Sequence, residues 1–263
     1  MTRLVVKVGG HALDSLTPSS SVLRELAEDI SHLMRAGTEV VLVHGGGPQI
    51  AELLASVGVE SRFHEGLRIT DAQTMEYVAM ALGHVNILIS AAMNHAGLAS
   101  VGVSGADGSL LRSAALGEPW LRAGAVPVVH PEVITSLWAN GFCPVVSSLA
   151  VDANGELVNC NADTAAGALA GSLDADALVL LSDIDQLRRD PEDASSSLAE
   201  ATSREVADLI ASGAAREGMR PKMQAALDAL DAGARRVIMG NGTRPHALRS
   251  SLDASVPITE VVR

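Results

Sequence analysis

The chain has 263 residues, of which 48% are hydrophobic and 19% charged, so it can form one large domain or two small ones. This apolar content excludes a disordered chain, and ordinary glycine and proline counts exclude collagen-like and low-complexity proteins. The net charge of −12 and the lack of a basic run argue against nucleic acid as a partner. Two cysteines cannot form a disulfide framework, and the first residues lead into an apolar run rather than a secretory signal. We therefore expect a reduced, cytoplasmic protein.

Buried strands and amphipathic helices alternate along the chain. Apolar runs at 4–8 and 39–43 each end at a glycine turn and precede a helical pattern, and Pro48 suits a first helical turn. The elements predicted in chain order are strand 4–8, helix 21–36, strand 39–43, helix 48–57, helix 71–95, strands 99–104, 126–129, 143–147 and 157–159, helix 162–173, strand 177–181, helices 203–212 and 221–232, strand 236–239, a short helix 246–251 and an edge strand 258–262.

This order predicts an α/β protein with an open, mostly parallel central sheet sandwiched by helices. We expect two lobes that share the sheet, one at 1–170 and the other at 171–263. Residues 152–155 give a hairpin signal, and the polar stretch 185–200 predicts an exposed loop. Residues 77–106 lack charged side chains, but they contain histidines, asparagines and glycines, which favour a buried helix and strand over a membrane span.

Two glycine turns, Gly9-Gly10 and Gly45-Gly46-Gly47, follow early parallel strands, at the sheet edge where α/β proteins bind ligands. Glycine lets backbone N–H groups approach a phosphate, and a following helix adds a favourable dipole. The sequence contains neither the P-loop motif nor the dinucleotide-binding glycine fingerprint. Each turn alone is equally compatible with glycine that serves only backbone geometry.

Only two of the 19 basic residues are lysines, Lys7 and Lys222. Lys7 lies in an apolar strand just before Gly9, where its ammonium can reach an anion held by the turn. Lys222 lies in the first turn of a predicted helix. The alternatives are an edge-strand lysine and an ordinary surface lysine, respectively.

Polar residues also precede the helix predicted at 162–173. Asn159, Asn161 and Asp163 could bind a ligand or simply cap that helix. Arg68 is a candidate carboxylate-binding fork or a surface arginine. Cys160 has no basic neighbour in sequence and is expected to be unreactive. The eight histidines show no zinc-binding spacing, so we expect no protein-held metal, and no serine-hydrolase elbow is present.

Short motifs follow one another in a characteristic order along nearly the whole chain. They are Lys7-Val8-Gly9-Gly10, Val43-His44-Gly45-Gly46-Gly47, Gly66-Leu67-Arg68-Ile69-Thr70, Pro144-Val145-Val146-Ser147-Ser148, Asn159-Cys160-Asn161-Ala162-Asp163, Leu180-Leu181-Ser182-Asp183, Gly218-Met219 with Lys222, and Pro245-His246-Ala247-Leu248. As a set they resemble the amino acid kinase family, and within it the kinases that act on N-acetyl-L-glutamate. The chain's two lysines fall on the family's two catalytic lysine positions.

The resemblance implies ATP-dependent phosphorylation of the side-chain carboxylate of N-acetyl-L-glutamate, a step of arginine biosynthesis. It implies an N-terminal lobe that binds the acylated amino acid and forms a homodimer, and a C-terminal lobe that binds ATP. Mg²⁺ would be held mainly by ATP phosphates. The implied roles are Lys7, Lys222 and Asp163 as catalytic residues; Gly9, Gly10 and Gly45 at the phosphates; Gly45, Gly46, Arg68 and Asn159 at the substrate; and Asp183, Ile184, Asp185, Gln186, Leu187 and Arg216 at the nucleotide.

The chain departs from the family pattern at Gln186 in the nucleotide loop, at Glu65 where asparagine is common, and at Ile87 where lysine is common. Arginine-inhibited relatives carry a helix before the first strand. Because the first strand here begins near residue 3, we expect a homodimer that is insensitive to arginine.

Three other functions remain open from the sequence. The first is a related kinase that phosphorylates aminoadipate attached to a carrier protein, for which a basic docking surface is expected. The second is a non-catalytic amino-acid sensor on the same fold, which the retained lysines and Asp163 disfavour. The third is a nicotinamide-dependent dehydrogenase, which the missing glycine fingerprint disfavours.

Overall fold

The computed structural model describes residues 2–9, 13, 16–17, 19–190, 192–213 and 219–263. Within them the helices are α1 (Ser21–Arg35), α2 (Gly47–Ser56), α3 (Ala72–His95), α4 (Glu132–Ala139), α5 (Ala162–Ser172), α6 (Ser203–Ala211), α7 (Arg220–Ala232) and α8 (Ala247–Leu252). The strands are β1 (Arg3–Val8), β2 (Glu39–His44), β3 (Phe63–His64), β4 (Leu67–Arg68), β5 (Ser100–Ser104), β6 (Leu111–Arg112), β7 (Ala115–Gly117), β8 (Leu121–Gly124), β9 (Val128–Val129), β10 (Cys143–Ser147), β11 (Leu149–Val151), β12 (Leu157–Asn159), β13 (Ala177–Ser182), β14 (Leu187–Arg188), β15 (Ser197–Leu198), β16 (Glu200–Thr202), β17 (Val237–Asn241) and β18 (Ile258–Val262).

The central sheet of the described chain has eight strands in the order β16-β18-β17-β13-β1-β2-β10-β5. The six strands from β17 to β5 run parallel, and β18 is antiparallel to β17. Successive residues of β1 point to opposite faces, as a strand requires. Val5 joins an apolar cluster with α5 and α7, whereas Val6 joins one with α1, α3 and α8. Helices therefore cover both faces, and the predicted fold class is confirmed.

A smaller sheet, β7-β8-β12-β11-β6-β9, stands beside the carboxyl end of the central strands. The hairpin predicted at 152–155 is confirmed: β11 and β12 are antiparallel, with Val151 opposite Leu157. β12 ends at Asn159 and leads directly into α5, which places this sheet next to the glycine turns that follow β1 and β2.

Two sequence-based expectations are wrong. The strand Ile258–Val262 is not at the sheet edge, because β16 pairs outside it. Three residues, Glu-Ala-Thr, are too few to show a strand pattern. Residues 185–200 are not simply an exposed loop, because β14 and β15 form a hairpin within them and Leu187 and Leu198 are buried.

Among the described residues, α3 is the helix that is long and apolar enough to cross a membrane, with a mean hydropathy of 1.3 in its most apolar window. Of that window, 44% is buried inside the protein. Met75 and Leu82 pack with α2, and Val85 and Ile89 pack with α1 and the central sheet. These contacts are those of a core helix, as the sequence predicted.

Candidate active site

Two lysines and one aspartate meet at the carboxyl end of the central sheet. Lys7, near the end of β1, places Nζ 2.7 Å from Oδ1 of Asp163. Lys222, in the first turn of α7, places Nζ 3.3 Å from Oδ2 of the same carboxylate. Lys7 and Asp163 are buried, whereas 18% of the Lys222 side chain is exposed. One carboxylate thus bridges two ammonium groups that are far apart in sequence.

Close packing of α5 against α7 brings Asp163 to Lys222. A Cβ at Gly167 would lie 3.0 Å from the Ala225 carbonyl oxygen, and a Cβ at Gly171 would overlap Ala232. The two helices therefore lie side by side in parallel, with both N-termini at the site. The partial positive charges of these helix ends favour an anion there.

The surroundings of Asp163 hold it ionised. Burial alone would raise its pKa, but attraction from Lys7 and Lys222 outweighs burial and keeps the pKa below its ordinary value. Burial, reinforced by repulsion from Lys222, lowers the pKa of Lys7 against the pull of Asp163. The 2.7 Å contact with a carboxylate maintains an ammonium on Lys7. The cluster then carries one positive charge in excess within a chain of net charge −12.

Three glycines of the two turns, Gly9, Gly45 and Gly46, lie against neighbouring atoms that leave little room for a side chain. A Cβ on Gly9 would lie 2.5 Å from Lys7 Nζ, so glycine lets the lysine fold back over the turn. A Cβ on Gly45 would lie 3.3 Å from Ala162 Cβ, and one on Gly46 would lie 3.0 Å from Leu82 Cδ2. Gly46 is the N-cap of α2 and offers no side-chain cap, so backbone N–H groups are available at this end of the helix. Gly10 lies outside the described residues.

Two adjoining clefts meet at Asp163. The first, of about 240 Å³, brings together the predicted phosphate and substrate groups, and its polar lining includes Lys7, Gly9, Gly45, Gly46, Arg68, Asn159 and Asp163. The second, of about 380 Å³, is lined by Phe63, Glu65, Gly66, Asn161, Asp163, Pro221 and Lys222. Each lysine therefore faces one cleft, and the carboxylate that joins them lines both.

Arg68 and Asn159 both line the first cleft, and Thr70 links them, since it accepts a hydrogen bond from Asn159 and donates one to the Arg68 carbonyl oxygen. Arg68 donates hydrogen bonds to Ser61 Oγ and to the Gly47 carbonyl oxygen at 3.2 Å, and its guanidinium lies 4.7 Å from the Phe63 ring centre. Burial lowers its pKa, and no described carboxylate pairs with it. A buried guanidinium without a carboxylate partner is suited to bind one from a ligand.

The polar residues that precede α5 have separate roles, which the sequence alone did not distinguish. The Asn161 side chain accepts hydrogen bonds from the N–H groups of Asp163 and Thr164, so Asn161 is the helix cap and Asp163 is free for the lysines. Asn159 donates to Thr70 Oγ1 at 3.0 Å. Burial raises the pKa of Cys160 to about 11, in agreement with an unreactive thiol.

The predicted nucleotide segment lies apart from the linings of both clefts. Asp183 is close enough for its negative charge to oppose, in small part, the lowering of the Lys7 pKa by burial. Asp185 pairs with Arg244 at 2.7 Å. The next two residues fasten the segment to β18: Gln186 Nε2 donates to the Ile258 carbonyl oxygen at 2.9 Å, and the buried Leu187 donates its N–H to Thr259 Oγ1 at 2.8 Å. Ile184 packs against the main core, and Arg216 lies outside the described residues.

His44 and Asn86, which have no role in the sequence-based predictions, form a buried polar pair behind the second glycine turn. An asparagine inside an apolar helix and a histidine before three glycines were the available signals. Among the described residues, no group of three or more His, Cys, Asp or Glu side chains is placed to hold a metal ion.

Known proteins share this fold and much of this sequence. Residues 2–241 match the model of the amino acid kinase family. An acetylglutamate kinase from Acaryochloris marina is 40% identical over 247 residues, which cover 93% of this chain and 86% of that protein. The chain also resembles the structure of an N-acetylglutamate synthase from Neisseria gonorrhoeae complexed with coenzyme A and N-acetyl-glutamate. The two share 25% sequence identity with a TM-score of 0.83, and the match covers 100% of this chain and 59% of the synthase chain. A carbamate kinase from Giardia lamblia shares the fold at 18% identity and a TM-score of 0.69, over 99% of this chain and 98% of its own. The chain belongs to the amino acid kinase family.

Proposed function

We propose that this protein transfers the γ-phosphoryl group of ATP to the side-chain carboxylate of N-acetyl-L-glutamate, a step of arginine biosynthesis. The observation that carries the proposal is the Lys7–Asp163–Lys222 cluster at the glycine turns. Relatives about 40% identical over most of the chain are acetylglutamate kinases, which supports this substrate.

The proposed reaction needs electrostatic stabilisation rather than a base. A side-chain carboxylate with an ordinary pKa of about 4.3 is already ionised at neutral pH. The difficulty is to bring two anions together and to stabilise the charge on the phosphoryl group during transfer. The ammonium groups of Lys7 and Lys222, held by Asp163, and the N–H groups of the glycine turns supply that stabilisation in a fixed geometry.

The first cleft is the proposed substrate site. Arg68 binds the α-carboxylate side of N-acetyl-L-glutamate together with Asn159, and Gly45 and Gly46 face the reacting carboxylate. Lys7, Gly9 and Gly10 bind the β- and γ-phosphates from one side, and Lys222 contacts them from the other. Asp183 to Leu187 and Arg216 are proposed at the adenosine. Mg²⁺ would arrive with the ATP phosphates and offset their charge.

The division into an acyl-amino-acid lobe at 1–170 and an ATP lobe at 171–263, the homodimer and the cytoplasmic location belong to the same proposal. An apolar surface on α3 supports a dimer, since Met80 and Ile87 lie seven residues apart on its outer face and are 60% and 66% exposed. Ile87 is the position where the family often has lysine.

The experiment measures ADP release by the purified protein with Mg-ATP and each candidate acceptor, with hydroxylamine present to trap an acyl phosphate as the hydroxamate. The acceptors are N-acetyl-L-glutamate, glutamate, aspartate and N-acetyl-aminoadipate. We expect hydroxamate with N-acetyl-L-glutamate alone. Hydroxamate only with the aminoadipate compound would indicate the carrier-linked kinase, and ligand binding without ADP release would indicate a sensor.

A further inference from the structure

A buried hydrogen-bonded pair lies directly behind the second glycine turn. His44 is the last residue of β2, and its side chain is fully buried. Its Nδ1 lies 2.7 Å from the Gly45 carbonyl oxygen, and its Nε2 lies 2.9 Å from Nδ2 of Asn86 in α3. Because both ring nitrogens are occupied and the ring is buried, His44 does not contact a ligand.

The neighbours of Asn86 determine which ring nitrogen of His44 carries the proton. Asn86 Nδ2 lies 2.9 Å from the Val145 carbonyl oxygen, which can only accept a hydrogen bond. The atom there must therefore be the amide nitrogen, because an oxygen would repel that carbonyl. The same nitrogen donates to His44 Nε2, so Nε2 is unprotonated and the proton is on Nδ1, which donates to the Gly45 carbonyl. Burial lowers the pKa of His44 to about 4, in agreement with a neutral ring.

The hydrogen bond to the Gly45 carbonyl also orients the next N–H group. In a planar trans peptide the C=O and the following N–H point in opposite directions. With the Gly45 carbonyl directed at the buried His44 ring, the Gly46 N–H is directed away from that ring, and Gly46 itself lines the first cleft. Within the part of the chain that the structure describes, no acceptor takes up the Gly46 N–H.

We propose that His44, held in one tautomer by Asn86, is a positioning residue that aims the Gly46 N–H at the anion in the cleft. This inference rests on the proposed function, in which that anion is the transferring phosphoryl group or its acceptor. An N–H fixed before the reaction stabilises developing charge without reorganising during the step, which is why its direction affects kcat.

Two polar, uncharged replacements of His44 test its two hydrogen bonds separately. The amide of His44→Asn reaches the position of Nδ1 and can donate to the Gly45 carbonyl, whereas that of His44→Gln reaches the position of Nε2 and keeps only the bond to Asn86. We expect kcat to fall about 100-fold in His44→Gln, with the KM for ATP within about 3-fold, and to fall far less in His44→Asn. If both variants lose kcat equally, and the losses follow the fall in their unfolding midpoints, the role of His44 is purely structural and the proposal is overturned.

A spectroscopic readout on the wild-type protein does not depend on turnover. Long-range ¹H–¹⁵N correlation of the His44 ring at pH 7 should show a protonated Nδ1 and an unprotonated Nε2, and the Gly46 amide signal should shift when Mg-ATP and N-acetyl-L-glutamate are added. An imidazolium, a proton on Nε2 or an unmoved Gly46 signal would contradict the inference. If the wild type shows the expected ring tautomer and a shifted Gly46 signal but forms no hydroxamate, the proposed reaction is refuted instead.

Discussion

Replacing Gly9 with alanine tests whether the position of the Lys7 ammonium, rather than its presence, supports catalysis. The new Cβ would lie 2.5 Å from Lys7 Nζ, whereas ordinary contacts begin near 3.4 Å. The ammonium must therefore move by about 1 Å, and a displacement of that size at a reacting group costs about 100-fold in rate. The displaced atom is the end of a flexible side chain, so we expect the free energy of unfolding to change by less than about 1 kcal/mol.

The assay is ADP release with N-acetyl-L-glutamate and Mg-ATP, together with urea unfolding of the same samples. The matched control is Gly47→Ala in the second turn, where a Cβ would meet no atom within 4 Å. We expect Gly9→Ala to lose about 100-fold in kcat and Gly47→Ala to stay close to wild type. Wild-type activity in Gly9→Ala, or equal damage in the control, would refute the reasoning.

Three further predictions follow from the charges and contacts of the site. Asp163→Asn leaves two ammonium groups without their carboxylate, so urea unfolding should show a loss of about 3–5 kcal/mol, and adding Lys7→Met should restore part of that stability but no activity. The pKa of His44 is about 4 in the folded protein and 6.5 in the unfolded chain, so the unfolded chain takes up the proton first as the pH falls. Between pH 6.5 and pH 4 the free energy of unfolding of the wild type should therefore fall by about 3 kcal/mol relative to that of His44→Asn. Parallel plots of this free energy against pH for the two proteins would contradict the prediction. Arg68→Met should raise the KM for N-acetyl-L-glutamate at least about 10-fold while leaving the KM for ATP unchanged in initial-rate kinetics, and a matching rise for ATP would contradict its proposed role.

The inner strands β1, β2, β5, β10 and β13 were predictable because each carries a short, mainly apolar run that ends at or just before glycine or serine. Lys7 was identifiable as unusual because it interrupts such a run in a chain whose other cations are nearly all arginines. β16 and the β14–β15 hairpin were not predictable. Each of these strands has only two or three residues, too few to show a pattern, and their partners are distant in sequence: β16 pairs with β18, and Thr259 hydrogen-bonds to Leu187 and Leu198 of the hairpin.

The geometry of the site depends on contacts between distant segments, which a pattern along the chain does not encode. Resemblance named Asp163 and the two lysines as catalytic residues, but only the close packing of α5 against α7 at Gly167 and Gly171 shows how Asp163 reaches Lys222. The contribution of His44 was missed for the same reason, because its partner Asn86 lies 42 residues away on a helix whose pattern shows only burial.

The most direct test of the central claim is ³¹P NMR of the wild-type protein and of Lys7→Met, each incubated with Mg-ATP and N-acetyl-L-glutamate. Methionine preserves the length of the buried side chain, and Asp163 keeps Lys222 as its partner. We predict an acyl-phosphate signal together with ADP from the wild type and neither from the folded variant. Free phosphate without acyl phosphate from the wild type, or equal acyl phosphate from both proteins, would contradict a lysine-stabilised transfer to the substrate carboxylate.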